Sequence, residues 1–326
     1  MSFKPLWGFN NPVWQTILGA KLPCFSKKPQ QHYHLRLADG DILALAISTP
    51  KQWTETKPTV IALHGLGGSH QARYMLRLQT KVLRLGYRFV AVNFRGCGVG
   101  EGLAKGLYNA GSSADVLEVI AHLKAQNPHS KLILVGYSLG GNIALKLAGE
   151  LQHQAKENLA GLIAITPPVD LISCADLMKM PQNTFFRRYY IRKLWQKVLK
   201  RHARFPELGA APAANMDYGF WEFDEHYTAP QTGFSSALDY YKRCSSLPIL
   251  GQIQIPCRLL FAKDDPFIDC GVIEQVCLPS KMEVLITPGG GHMGFLAAPN
   301  ANVPLRWMDH KITEWIEELL VEDELG

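Results

Sequence analysis

Short apolar runs alternate with amphipathic stretches along most of this chain. TVIAL (59–63), FVAVNF (89–94), KLILVG (131–136) and GLIAI (161–165) are rich in branched aliphatic residues and bounded by polar or glycine-rich segments. They are too short for helices and predict buried strands. Between them, residues 71–85 place Met75, Leu78, Val82 and Leu85 on one helical face, and 113–126 and 139–152 also predict helices. Strand–helix alternation of this kind implies a mostly parallel sheet with right-handed crossovers. Ahead of it, HYHLRLADGDILALAIS (32–48) alternates apolar and polar residues around Asp39-Gly40, which predicts a β-hairpin.

The alternation breaks at residue 168 and resumes near 249, with a strand at 257–261, a helix at 270–277, a strand at 282–287 and an amphipathic helix at 305–320. The interruption is helical, aromatic and basic. The expected organisation is an irregular arm over 1–30 packed on the surface, an α/β core over 31–167 and 249–326, and a helical cap inserted over 168–248. The cap's aromatic residues (Phe185, Phe186, Tyr189, Tyr190, Trp195, then Phe220, Trp221, Phe223) suit either the wall of an acyl pocket or the cap's own core.

Composition sharpens this little. The chain has 326 residues, 47% hydrophobic and 19% charged, with a net charge of +6, ordinary for a globular protein and no sign of nucleic-acid binding. Charge distribution is uneven: Arg187 to Arg204 holds eight Lys/Arg and no acid, while Glu314 to Glu324 holds six acids and no Lys or Arg. The basic stretch reads first as a solvated helix face, and second as a peripheral contact with an anionic membrane. Seven scattered cysteines without a C-x-x-C indicate neither a disulfide framework nor a zinc ribbon. With no signal-peptide pattern and no long apolar run, the expected compartment is the reducing cytoplasm.

The chemistry gathers at the ends of the predicted strands. Residues 136–140 read G-Y-S-L-G between an apolar strand and an apolar-striped helix, where a serine nucleophile elbow belongs. So tight a turn leaves no room for side chains at Gly136 and Gly140 and strains Ser138, which lifts its Oγ clear of the sheet. Oxyanion donors are expected from the backbone N–H of Leu139 and from the HGLGG loop (64–68), at Leu66. His64 reads as a structural histidine. Of eleven histidines, His292 in PGGGHMGF (288–295) directly follows the last strand on a glycine-rich loop at the sheet's C-terminal edge and is the expected base.

The acid is sought in AKDDPFID (262–269). Asp269 precedes a helical segment and reads as its N-cap. Asp265 precedes Pro266, which disfavours helical backbone there, so Asp265 is preferred over Asp264 as the acid behind the imidazole. A metal nest is not expected, since no further acids join these three. Arg95 in NFRGCG reads as a tie between loops, and Cys97 as inert. No G-x-G-x-x-G follows the first strand and no G-K-[ST] is present, which excludes common nucleotide-binding folds.

Taken together, HGLGG, NFRGCG, GYSLGGN, ALDYYKRCSSLP, AKDDPF and GGGHMGF resemble the YheT-like esterases of the α/β-hydrolase superfamily from about Asn10 onward. The resemblance implies an α/β-hydrolase fold with helices on both sheet faces and a helical cap. It also implies a Ser–Asp–His triad at Ser138, Asp265 and His292, ester hydrolysis without a cofactor, and kinship with enzymes acting on glycerolipids. Two positions depart from the family's pattern: Trp14 stands for His in the arm motif NPVWQT, and YNAG (108–111) replaces Y-H-S-G. A thioesterase or amidase, or a non-catalytic membrane-associated protein, is the alternative reading.

Overall fold

The computed structural model describes residues 3–24, 31–300 and 303–325. Eight strands form one sheet: β1 (Gln31–Arg36), β2 (Ile42–Ser48), β3 (Thr59–Leu63), β4 (Arg88–Asn93), β5 (Leu132–Tyr137), β6 (Gly161–Ile165), β7 (Cys257–Ala262) and β8 (Met282–Thr287). Their spatial order is β1-β2-β4-β3-β5-β6-β7-β8. β1 and β2 form the expected hairpin, β2 runs antiparallel to β4, and every later pairing is parallel.

The central strands are apolar throughout because both faces are covered. In β3, Ile61 and Leu63 enter one core cluster, while Val60 and Ala62 enter the other. Helices α3 (Ser113–Gln126) and α4 (Leu139–Leu151) cover the first face with Val116, Val119, Ile120 and Ile143. The second face is covered by α2 (Arg73–Arg84) and the last helix, Trp307–Leu325, through Met75, Leu78, Ile312 and Trp315. Arg77 pairs with Asp309 at 2.5 Å to tie those two helices together. Arg95 is the tie foreseen: it reaches Asp39, Asp41 and Asp115 at 2.5–2.7 Å, joining the hairpin turn to the start of α3.

Two expectations need correction. The N-terminal arm is not wholly irregular: Pro12–Lys21 forms helix α1, with Asn11 accepting from the N–H groups of Val13 and Trp14 and Pro12 at the first helical position. Nor is the arm a mere surface strap, since Gln15 and Thr16 are buried. The predicted helix at 270–277 is a 3₁₀ segment, Cys270–Gln275, capped by Asp269 as anticipated, with its carboxylate accepting from Gly271 N–H at 2.8 Å.

Between β6 and β7 the chain is helical. Leu171–Lys179 leads to the long helix Thr184–Arg204, then to a π-helical turn at Asp224–Thr228 and a helix at Ala237–Cys244. Ile191, Trp195, Val198, Phe223 and Tyr227 form a small core of their own within this insertion. Asn142 of α4 fastens its end to the main body, donating to the carbonyls of Ala110 and Cys244 and accepting from Ser246 N–H.

Candidate active site

Ser138 lies between β5 and α4 with φ 50° and ψ −121°, a left-handed backbone that only a constrained site maintains in a serine. The constraint is visible around it. A Cβ on Gly136 would lie 2.4 Å from Gly140 O, and one on Gly140 would lie 2.7 Å from the carbonyl oxygens of both Leu63 and His64. Both glycines are therefore dictated by backbone packed on backbone.

His292 follows β8 and points its ring into the same space. Ser138 Oγ lies 2.9 Å from His292 Nε2, and His292 Nδ1 lies 2.8 Å from Asp265 Oδ2. A carboxylate beside Nδ1 fixes the tautomer: Nδ1–H donates to Asp265, leaving Nε2 to accept from the serine hydroxyl. Asp265 is itself held by the backbone, since its Oδ1 accepts from the N–H groups of Phe267 (2.8 Å) and Ile268 (3.2 Å). Its side chain is 1% exposed and that of His292 6%. A carboxylate so enclosed and so hydrogen-bonded has one orientation.

The three aspartates of AKDDPFID thus have three separate tasks. Asp265 meets the histidine, and Asp269 caps the 3₁₀ turn. Asp264 Oδ1 accepts from Gly291 N–H at 2.8 Å and so holds the loop one residue before His292. Burial pushes the Asp264 carboxyl up, opposed by the N–H groups of Gly291 and Gly290.

The other support of that loop comes from α1, a contribution the sequence reading missed. His292 N–H donates to Thr16 Oγ1 at 2.9 Å. Gln15, fully buried, donates to the carbonyls of Phe9 and Leu296 and accepts from Leu296 N–H. Contact is so close that a Cβ on Gly294 would lie 2.3 Å from Gln15 O. Met293 and Phe295 adopt φ of 61° and 42°, so the loop is strained on both sides of Gly294. The signal was present in NPVWQT: an Asn–Pro helix start followed by two polar residues on the side facing the body. Trp14, the departure from the family's pattern, is 54% exposed and points away from this contact.

Leu66 and Leu139 both line the cavity beside Ser138. Around Leu66 the backbone donors are engaged, with Gly65 N–H on Tyr74 Oη and Gly67 N–H on Tyr108 Oη. Among the described residues, the N–H groups of Leu66 and Leu139 have no hydrogen-bond acceptor. His64 is structural: Nδ1 faces Gly65 O at 2.8 Å, Nε2 accepts from Phe94 N–H, and full burial pushes its pKa down to about 3. Tyr108, from the second departure, is also functional scaffolding, since it holds the HGLGG loop from the cavity side.

The cavity, counted together with its solvent-filled mouth, has about 1060 Å³ of empty volume, with Ser138 and His292 in its wall and the helical insertion as its roof. The roof's aromatics divide: Tyr190 and Phe220 face the cavity, Phe223 belongs to the insertion's own core and also lines the cavity, Trp195 lies in that core, and Phe185 and Tyr189 are exposed. Polar groups in its wall are few. Asp224 is one, with its carboxylate accepting from Tyr241 Oη at 2.7 Å and its pKa pushed up by burial to about 6.

Residues 58–299 match the family model of the alpha/beta hydrolase fold. The chain belongs to the α/β-hydrolase family. It is 30% identical to "Putative esterase YheT" of Escherichia coli, over 98% of this chain and 94% of that protein. It is 27% identical to human "Phospholipase ABHD3", over 86% of this chain and 70% of that one. Among solved structures, the Pyrococcus furiosus esterase Pf2001 superposes with a TM-score of 0.56 at 17% identity, covering 98% of this chain and 99% of that one, a likeness of fold.

Proposed function

We propose that this chain is a serine hydrolase that cleaves carboxylic esters through an acyl-enzyme, with Ser138 as nucleophile, His292 as base and acid, and Asp265 behind the imidazole. The observation that carries the reading is the unbroken path from Ser138 Oγ through His292 to Asp265, at 2.9 and 2.8 Å. As Oγ attacks the ester carbonyl, Nε2 takes its proton; Asp265 fixes the ring and stabilises the imidazolium. The unengaged N–H groups of Leu66 and Leu139 receive the oxyanion, aided by the N-terminus of α4. His292 then protonates the departing alcohol and activates the water that releases the acid. No step calls on a metal or organic cofactor.

The carboxylic-ester class agrees with the names of the relatives. The large, mostly apolar cavity supports esters with an acyl chain, including acyl glycerols, and the phospholipase name of one relative points the same way. Exposed Phe185 and Tyr189 share the long helix with the basic run, which supports peripheral contact with a membrane that presents such substrates. Among the described residues no helix is long and apolar enough to cross a membrane, and each described cysteine is free, consistent with a reducing cytoplasm. Thioesters and amides would engage the same residues.

A fluorophosphonate probe with intact-mass readout tests the reading: one adduct per chain, mapped to Ser138, is expected. Ser138→Ala should abolish labelling and lower ester turnover by roughly 10⁴–10⁶-fold. Near-normal esterase activity in that variant overturns the assignment.

A further inference from the structure

Cys97 follows β4 and is fully buried, at 0% exposure. Lys197 belongs to the helix Thr184–Arg204 in the roof of the cavity. Its Nζ lies 2.6 Å from Cys97 Sγ. That is shorter than the roughly 2.7–3.2 Å of an ordinary N–H···O bond, although sulfur is the larger atom. Among the described residues Lys197 forms no salt bridge with a carboxylate; its ammonium lies 5.1 Å from the ring of Tyr108 and also acts on buried His64. An amine and a thiol are thus pressed together across the seam between core and insertion, with nothing between them.

We propose that Cys97 and Lys197 form a reversible covalent N–O–S bridge under oxidising conditions, pinning the roof of the cavity to the core. The oxidant is peroxide. One peroxide converts the thiol to a sulfenic acid and is itself reduced to water. A second removes two hydrogens as the Lys197 nitrogen bonds to the sulfenic oxygen, releasing two waters. In sum the S–H and one N–H are broken, S–O and O–N are formed, and four electrons pass to two peroxides, giving three waters. Two equivalents of a dithiol reverse the change, returning thiol, amine and one water.

The surroundings favour this outcome over the usual fates of an oxidised cysteine. Bulky thiols such as glutathione cannot reach a sulfur at 0% exposure. The groups facing it are the Lys197 amine and the Tyr108 hydroxyl. Cys97 itself lines neither cavity, but Lys197 lines both the main one and a second at the same seam, so the amine side of the pair faces space from which a small oxidant can approach. Burial pushes the Cys97 thiol up and Lys197 opposes that shift. The bridge goes beyond the hydrolase reading and does not depend on it.

The test is peptide mapping of the full chain after graded hydrogen peroxide, with free thiols blocked by iodoacetamide before digestion. Exposed Cys277 serves as the internal control, and the dose is raised until it is oxidised. The expected product is a linked pair of peptides carrying Cys97 and Lys197. Its mass should be about 14 Da above their sum, one oxygen gained and two hydrogens lost. Dithiothreitol should return both peptides, and Lys197→Arg should yield no linked pair. Recovery of Cys97 as the blocked thiol, or as a sulfinic or sulfonic acid with Lys197 unmodified, overturns the proposal. Because the unsubstituted protein decides the matter, the result stands even if the variant folds poorly.

Discussion

Replacing Thr16 with valine changes one atom group in the N-terminal helix and should disable a histidine far along the chain. Valine keeps the shape of threonine but removes the oxygen that accepts from His292 N–H at 2.9 Å. His292 is 7% exposed, so its amide cannot turn to water without the loop moving. An orphaned buried donor costs about 1–3 kcal/mol. If the loop relaxes to satisfy the amide, the imidazole leaves Ser138, and the aligned population falls by roughly 5- to 150-fold. We therefore expect kcat for a soluble ester to fall within that range while KM changes little, because the cavity wall is untouched. Labelling of Ser138 by a fluorophosphonate should slow in proportion. Thr16→Ser, which restores the hydroxyl, should return activity to within about twofold of the original. Stability, read from urea midpoints, should fall by no more than the same 1–3 kcal/mol. A valine variant as active as the original would refute the idea that α1 positions the base.

Asp224→Asn should reveal the cost of a carboxylate in the cavity wall. Burial raises its pKa from 3.8 to about 6, so between those values the folded state binds the extra proton and stability declines as pH rises. Above pH 6 the full cost, up to about 3 kcal/mol, is present, so the variant should gain that much at pH 8 and nothing at pH 4 in urea melts. A variant less stable than the original at pH 8 would contradict this. Gly140→Ala should destabilise by about 1–3 kcal/mol or more in the same assay, since its Cβ would press on two carbonyl oxygens of the β3 end at 2.7 Å. An alanine variant of unchanged stability would show that the turn has room the structure denies.

The sheet was legible in the sequence because its central strands are buried on both faces and therefore apolar without interruption. Every predicted strand is present, displaced by a residue at most in the parallel core. The placement of Ser138 on a strained strand-to-helix turn was legible because glycines cluster where the backbone crowds, and the placement of Asp265 beside His292 because of the proline that follows it. What escaped was α1, where prolines and exposed aromatics obscured a short helix held mainly by tertiary hydrogen bonds of Gln15 and Thr16. The fate of the roof's aromatics was also hidden, because residues such as Tyr190 and Trp195 differ only in which side of one helix they occupy. Periodicity marks them as apolar. It does not say whether a cavity or a core receives them.

The bond between Thr16 and His292 joins residues 276 positions apart. A chain emerging from the ribosome presents its serine long before the base and the loop that carries it exist. If Ser138 and His292 act as proposed, hydrolytic competence appears late and abruptly, when the helix bearing Thr16 meets the loop bearing His292. On that proposal, nascent chains that stall beforehand would be inert toward esters, and synthesis itself would act as the safety catch.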